Sequence, residues 1–145
     1  MVTAPADATP LHVLVVEDDE DARELLVLAL RGLGHTARAV ADAEAARTGI
    51  EEELVDVVLS DWMLHGMSGI DLCRHVRARA SGRYIYFVLV TGFGDGNHFI
   101  EAIRAGADDV QRKPVDLDEL EARLVIAART LDLHRRLDGP SSRSQ

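Results

Sequence analysis

Cysteine occurs once in this 145-residue sequence, as Cys73. That rules out an internal disulfide framework and fits a reducing compartment. Aromatic residues are only 4% of the chain against 47% hydrophobic residues overall, so its core has to be built from Leu, Val, Ile and Ala. No uninterrupted apolar run approaches the ~20 residues of a membrane span. The first ten residues lack the positive segment and apolar stretch of a signal peptide. The expectation is a soluble cytoplasmic protein with no membrane partner. Basic residues are also scarce: 16 against 25 acidic, a net charge of −9, with Lys113 the single lysine. This argues against direct contact with nucleic acid or an anionic membrane. The acidic excess lies in the first 128 residues, because residues 129–145 carry four arginines against two aspartates. Nucleotide cradles of the G-x-G-x-x-G or G-x-x-x-x-G-K-[ST] type are missing. The six histidines (His12, His35, His65, His75, His98, His134) show no metal-ligand spacing, which argues against a zinc site.

What is present is a regular alternation. The length suits one domain with a real core. Residues 1–10 (MVTAPADATP) are patternless and read as a flexible lead-in. Leu11–Val16 reads as a buried strand, and Ala22, Leu25, Leu26, Ala29, Leu30 and Leu33 then fall at i, i+3, i+4 spacing, an amphipathic helix ending near Gly32 or Gly34. A weaker strand, His35–Val40, precedes a helix that Asp42 can N-cap. Val55–Ser60 is the third strand and runs into Asp61. The next helix carries Ile70, Leu72, Cys73 and Val76, with Cys73 as core filling, and Ser81-Gly82 breaks it. Tyr84–Val90 is the most strand-like segment, followed by a helix from Asn97 to Ala105 and a short strand at Asp108–Gln111. Asp116 with Glu119 resembles a capping box, opening a helix from Leu117 to about Leu137. Five such strand–helix units predict an α/β, doubly wound sandwich around a parallel five-stranded sheet.

In an open parallel sheet, ligands bind beyond the carboxyl ends of the strands. Glu17, Asp18 and Asp19 come after the first strand, Asp61 after the third, Thr91 after the fourth, and Lys113-Pro114 after the fifth. Three or more carboxylates, a hydroxyl and the single lysine thus meet at one end. Clustered carboxylates repel unless a cation neutralises them or one is protonated. Oxygen donors without paired His or Cys suit a hard ion, Mg²⁺ in particular. A carboxylate beside such an ion can attack phosphorus and form an acyl phosphate, with Lys113 and Thr91 stabilising the transferring oxygens. Asp19 has no such role and reads as solvent-facing or as a helix N-terminal acid.

The stretches LHVLVVEDDEDARELL, VDVVLSDWMLHGMSGIDLCRHVR, VLVTGFGD and AGADDVQRKPVDLDELEARL resemble the receiver domain of two-component response regulators, over about residues 11–128. The resemblance implies the flavodoxin-like (βα)₅ fold with strand order 2-1-3-4-5. It implies Asp61 as phosphoacceptor, Glu17 and Asp18 as the acidic pair, and Met63 as the donor of a backbone carbonyl to Mg²⁺. Thr91 and Gly92 then stand at the phosphoryl-binding switch, Lys113 is its ion-pair partner, and the Lys113–Pro114 peptide is cis. The partner implied is a sensor histidine kinase or a histidine phosphotransfer protein. Such a chain is no enzyme beyond its own phosphoryl transfer and autodephosphorylation, and it signals through a phosphorylation-dependent surface or dimer change.

Three positions depart from the family pattern. His65 replaces a proline after the acceptor, Gly92 replaces the common alanine, and Val110 stands where the family has an aromatic switch residue. Valine has no ring to swing, which keeps a phosphorylation-independent interaction module of the same fold as the alternative. A Mg²⁺-dependent phosphatase would need a second Asp two residues after the nucleophile, where this chain has Met63. Trp62 can line the site mouth or pack ordinarily, and His65 can reach a partner or the phosphoryl group. The last helix also has two readings. It is a core helix with a frayed end, or a seam for a homodimer and a linker to an output domain, an ending similar to receivers that precede diguanylate cyclase or phosphatase outputs. The expected organisation is lead-in 1–10, receiver 11–128, helix extension 129–138 and disordered tail 139–145, with an output protein or a further output domain still to be named.

Overall fold

Apolar runs that alternate with 3.6-residue periods become ten elements in the computed structural model of the chain, which describes residues 9–79, 82–92 and 96–143. Most of the expected lead-in (residues 1–8), Ser81 of the expected helix break and the last two residues of the expected tail lie outside the described residues. The elements are β1 (His12–Val16), α1 (Glu20–Gly32), β2 (Thr36–Val40), α2 (Ala43–Glu52), β3 (Val57–Asp61), α3 (Gly69–Arg77), β4 (Tyr86–Thr91), α4 (Gly96–Ala105), β5 (Asp109–Arg112) and α5 (Leu117–Arg143). Side chains satisfy orphan N–H groups where helices begin. Asp19 accepts from Ala22 N at 2.8 Å, Asp42 from Ala45 N at 2.8 Å, and Ser68 from Asp71 N at 3.2 Å. Asp116 accepts from Asp118 N and Glu119 N, while the Glu119 carboxylate lies 3.9 Å from Arg123.

All four pairings are parallel and the sheet order is β2-β1-β3-β4-β5, as expected. The period-2 alternation of each strand splits the core in two. Leu14, Val16, Val58, Phe87, Leu89 and Val110 face one way, against Ala46, Ile70, Leu72, Cys73 and Ala102 of α2, α3 and α4. Val13, Val15, Leu59, Val88 and Val90 face the other, against Leu30 of α1 and Leu120, Leu124, Ala127 and Leu131 of α5. Cys73 is core filling, and burial pushes its thiol up to about 11.

One position of the predicted apolar helix face is not core. Leu25 is 69% exposed, because α1 stands clear of the β5–α5 connection and leaves a groove of about 450 Å³ along Ala22, Leu25, Leu26 and Ala29. Leu117 lines the same groove and is half-exposed for the same reason.

Helix α5 extends beyond Leu137, where the sequence placed its end, to Arg143. The boundary at residue 128 falls inside it, and Leu131 beyond that boundary is fully in the core. His134 stacks on Tyr84 with ring centroids 3.8 Å apart, and Arg135 pairs with the buried Asp56. The stretch of α5 from residue 129 to Arg135 therefore lies on the body rather than projecting from it.

Asp56 and Asp108 anchor the edge of the sheet where the strands begin. Asp56 accepts from His12 N at 2.8 Å and pairs with Arg83 and Arg135. Asp108 accepts from Phe87 N at 2.8 Å, from Arg77 at 2.7 Å and from the Tyr84 hydroxyl. Arg77 also donates to the carbonyls of Gly106 and Ile85, and its guanidinium lies 4.5 Å over the Tyr84 ring. Burial, with Asp108 accepting its proton, raises the Tyr84 phenol above its ordinary range. No helix among the described residues is long and apolar enough to cross a membrane.

Candidate functional site

Parallel strands bring all their carboxyl ends to one edge, so residues far apart in sequence meet there. Asp61 is the last residue of β3, in register with Val90, and Thr91 ends β4 one step further on. Glu17 directly follows β1, fixed by its N–H on Val40 O at 3.1 Å. Lys113 comes right after β5, fixed by its N–H on Thr91 O at 2.8 Å. Its ammonium bridges two of the acids, 3.0 Å from Asp61 Oδ2 and 3.5 Å from Glu17 Oε1. One oxygen from each of Glu17, Asp18 and Asp61 lies within 4.8 Å of the others. Glu17, Asp61 and Thr91 are buried, while Asp18 is partly open to solvent.

Around this centre stand the other residues that the sequence singled out. The Lys113–Pro114 peptide is cis, as the resemblance implied. Met63 touches Asp61 through its backbone N–H, 3.4 Å from Oδ1, and its side chain is exposed. Gly92 is exposed at the mouth. His65 Nε2 stands 3.5 Å from Asp18 Oδ2 at the rim. Asp19 caps α1 and also donates its N–H to Glu17 Oε2 at 3.0 Å, so it orients one of the acids. Val110 is buried, paired in register with Leu89. Trp62 is buried too: its N–H reaches Val90 O at 2.9 Å, and its ring meets His98 of α4 edge-on, centroids 5.3 Å apart at 86°.

The charges do not balance. Burial raises the Glu17 carboxyl above its ordinary value, and the negative charge of Asp61 adds to this against the opposing Asp19 N–H and Lys113. Burial alone would lower Lys113, but its hydrogen bond to Asp61 and the charges of Asp61 and Glu17 outweigh that and raise it. Lys113 therefore stays an ammonium. Among the described residues, Lys113 is the cation on the Glu17 and Asp61 carboxylates, while the Arg23 guanidinium donates to the Glu17 backbone carbonyl at 2.9 Å; the three clustered acids make an arrangement that a divalent ion would complete. An all-oxygen donor set fits Mg²⁺. Chemically, the pieces are a nucleophilic carboxylate, a fixed ammonium, a hydroxyl and an anionic cradle for a hard cation.

Gly69 was not singled out by sequence, yet it shapes the site. Its N–H reaches Trp62 O at 2.9 Å, and a Cβ there would lie 2.9 Å from Leu89 Cδ2 and closer still to the Asp61 carbonyl oxygen. Only glycine lets α3 start so near the end of β3. Gly69→Ala is expected to cost about 1–3 kcal/mol through overpacking and to shift the Asp61 backbone. A urea midpoint and an Asp61 amide resonance equal to those of the native chain would contradict this. The sequence signal was a glycine at the first helical position after an N-capping serine.

Comparison with known proteins gives a consistent result. Residues 13–125 match the family model described as the response regulator receiver domain. The DNA-binding response regulator MtrA of Mycolicibacterium smegmatis is 37% identical over 118 residues, 81% of this chain and 50% of the relative. The two-component response regulator PhoP of Pseudomonas aeruginosa is 40% identical over 114 residues, 79% of this chain and 50% of PhoP. The solved receiver domain of a Francisella response regulator superposes with a TM-score of 0.77 at 25% identity, over 83% of this chain and 98% of that one. The chain spans about half the length of the curated relatives it matches.

Proposed function

The chain belongs to the response regulator receiver family of two-component systems, and on that premise we propose that Asp61 is its phosphoacceptor. The donor is a phosphohistidine on a sensor histidine kinase or a histidine phosphotransfer protein. An Asp61 carboxylate oxygen attacks phosphorus, the P–O bond forms, the P–N bond breaks, and the imidazole leaves with the electron pair. The Lys113 ammonium, the Thr91 hydroxyl and the open backbone at Gly92 face the transferring oxygens. Glu17, Asp18, Asp61 and the Met63 carbonyl would hold Mg²⁺, which when bound supplies positive charge against the phosphoryl oxygens. The chain promotes this transfer and the later hydrolysis itself and acts on no other substrate.

The observation that carries the reading is the Lys113 ammonium shared between Asp61 and Glu17 beside a cluster of three carboxylates. The test is native chain with acetyl phosphate and Mg²⁺, followed by intact mass and peptide mapping. One phosphoryl group on the peptide holding Asp61, prevented by chelation of Mg²⁺, is the expected result. Uptake elsewhere, or none, rejects the reading and leaves the phosphorylation-independent interaction module.

The receiver unit, 11–128, carries this chemistry, and the helix extension 129–138 offers a seam for a second copy. Ile126, Leu133 and Leu137 are exposed on the side of α5 away from its buried Leu120, Leu124, Ala127 and Leu131, which supports a homodimer through this helix. The effector is an output protein or an output domain of the kind that fills the other half of the relatives. With its net charge of −9, this acidic chain does not itself bind nucleic acid or a membrane. The reaction belongs in the cytoplasm, where a lone buried Cys73 stays reduced.

A further inference from the structure

We infer that this chain passes the state of Asp61 to α4 through the ring pair Trp62–His98, not through a side chain on β5. The inference rests on Asp61 being the acceptor and adds the route by which its state leaves the site. Trp62 is the residue after Asp61, so the two share a planar peptide unit. That peptide is pinned on two sides: Trp62 N–H reaches Val90 O at 2.9 Å, next to Thr91, and Trp62 O accepts from Gly69 N at 2.9 Å. A rearrangement of Asp61, or of the β4 end that holds Thr91, therefore acts on the Trp62 backbone directly. Its ring is buried and has little room of its own.

What the ring meets is α4. His98 lies in the first turn of that helix and packs against Trp62 edge-on. Such contacts depend steeply on ring placement, so a displaced indole shifts the imidazole and the turn that carries it. There is space to receive the shift. A cavity of about 610 Å³ beside His98 is lined by Thr91, Val110, Phe99 and Ile100. On the β5 side of that cavity stands Val110, whose two methyl groups are locked in the core with Leu89 and carry no ring to rotate into it. The moving part on this side of the site is accordingly on α4. Its consequence is presented to solvent by Phe99, Ile100 and Ile103, all exposed on the same helix.

The test uses the full chain with Mg²⁺ and beryllofluoride, read by amide NMR and by the fluorescence of Trp62, the single tryptophan. In the native chain the loops after β1 and β3 and the amides of α4 are expected to respond together. In His98→Ala the loop response should stay at its native size while the α4 response shrinks several-fold, with an unchanged thermal midpoint. His98→Phe keeps a ring at the contact and should restore most of it, and Trp62→Phe should weaken it with the same sparing of the loops. An α4 response in His98→Ala as large as in the native chain overturns the inference. So does a native chain whose loops respond while α4 does not. If the loops themselves fail to respond, the acceptor reading falls, and the relay with it.

Discussion

Asp61→Asn is expected to lose phosphoryl uptake completely and at the same time to be more stable than the native chain in the absence of divalent ions. The loss comes from the nucleophile: a carboxamide oxygen does not form a lasting acyl phosphate with acetyl phosphate or a phosphohistidine. The gain comes from the surroundings. Asp61 is buried, its charge adds to the burial that raises Glu17, and among the described residues Lys113 is the cation in direct contact with the Asp61 carboxylate. Asparagine keeps the shape and an oxygen for the Lys113 ammonium, while one dehydrated negative charge disappears. Relief of a single unfavourable feature of this kind commonly yields about 0.5–2 kcal/mol. Urea unfolding in chelator measures it, and intact mass after acetyl phosphate treatment measures uptake. The difference should narrow when Mg²⁺ is added, because the native chain gains more from the ion than the variant does. A variant that unfolds earlier than the native chain in chelator, or one that still takes up phosphate, would show that the charge imbalance has been misjudged.

Asp108→Ala is expected to be the most damaging substitution away from the site, costing about 3–5 kcal/mol. Its carboxylate holds three donors at once: Phe87 N at 2.8 Å, the Arg77 guanidinium at 2.7 Å and the Tyr84 hydroxyl. Removing it leaves a backbone N–H of the buried β4 unpaired and a guanidinium without its counter-charge. Asp108→Asn should recover part of the loss, since an amide oxygen can still accept from Phe87 N. Tyr84→Phe alone removes the bond to Asp108 and the Arg77 donation to the same hydroxyl at 3.1 Å, and should cost about 1–3 kcal/mol at the usual worth of two hydrogen bonds. Combined with Asp108→Ala it should be less than additive, since both variants remove the same bond. Denaturant midpoints for the four proteins decide this, and full additivity would mean that the three donors are held independently.

How much of this was readable from sequence depends on distance along the chain. The strand and helix order came from local periodicity. Glu17, Asp61, Thr91 and Lys113 stood out because each sits just past an apolar run. A parallel sheet turns that local rule into a common site without further information. The contacts that stayed hidden are those the fold makes between distant residues. Asp56 meets Arg135 across 79 residues, and Asp108 meets Tyr84 across 24. No local pattern marks either acid as different from the solvated ones around it. Leu25 failed in the opposite direction: it satisfies the helical period, but it lines an open groove between α1 and the β5–α5 connection. The Trp62–His98 contact is hidden for the same reason as Asp56, since two rings on separate elements have no shared signature.

The docking of α5 also bears on where this protein can be divided. A cut after residue 128 looks safe on a sequence ruler, since the receiver motifs are complete by then. It would strip Leu131 from the core, uncover the face of Tyr84 and leave the Asp56 carboxylate with one guanidinium instead of two. A transplantable version of the switch therefore extends at least through Arg135. A reporter or effector fused beyond that point inherits a rigid heading, because the helix leading to the graft is bolted to the sheet floor.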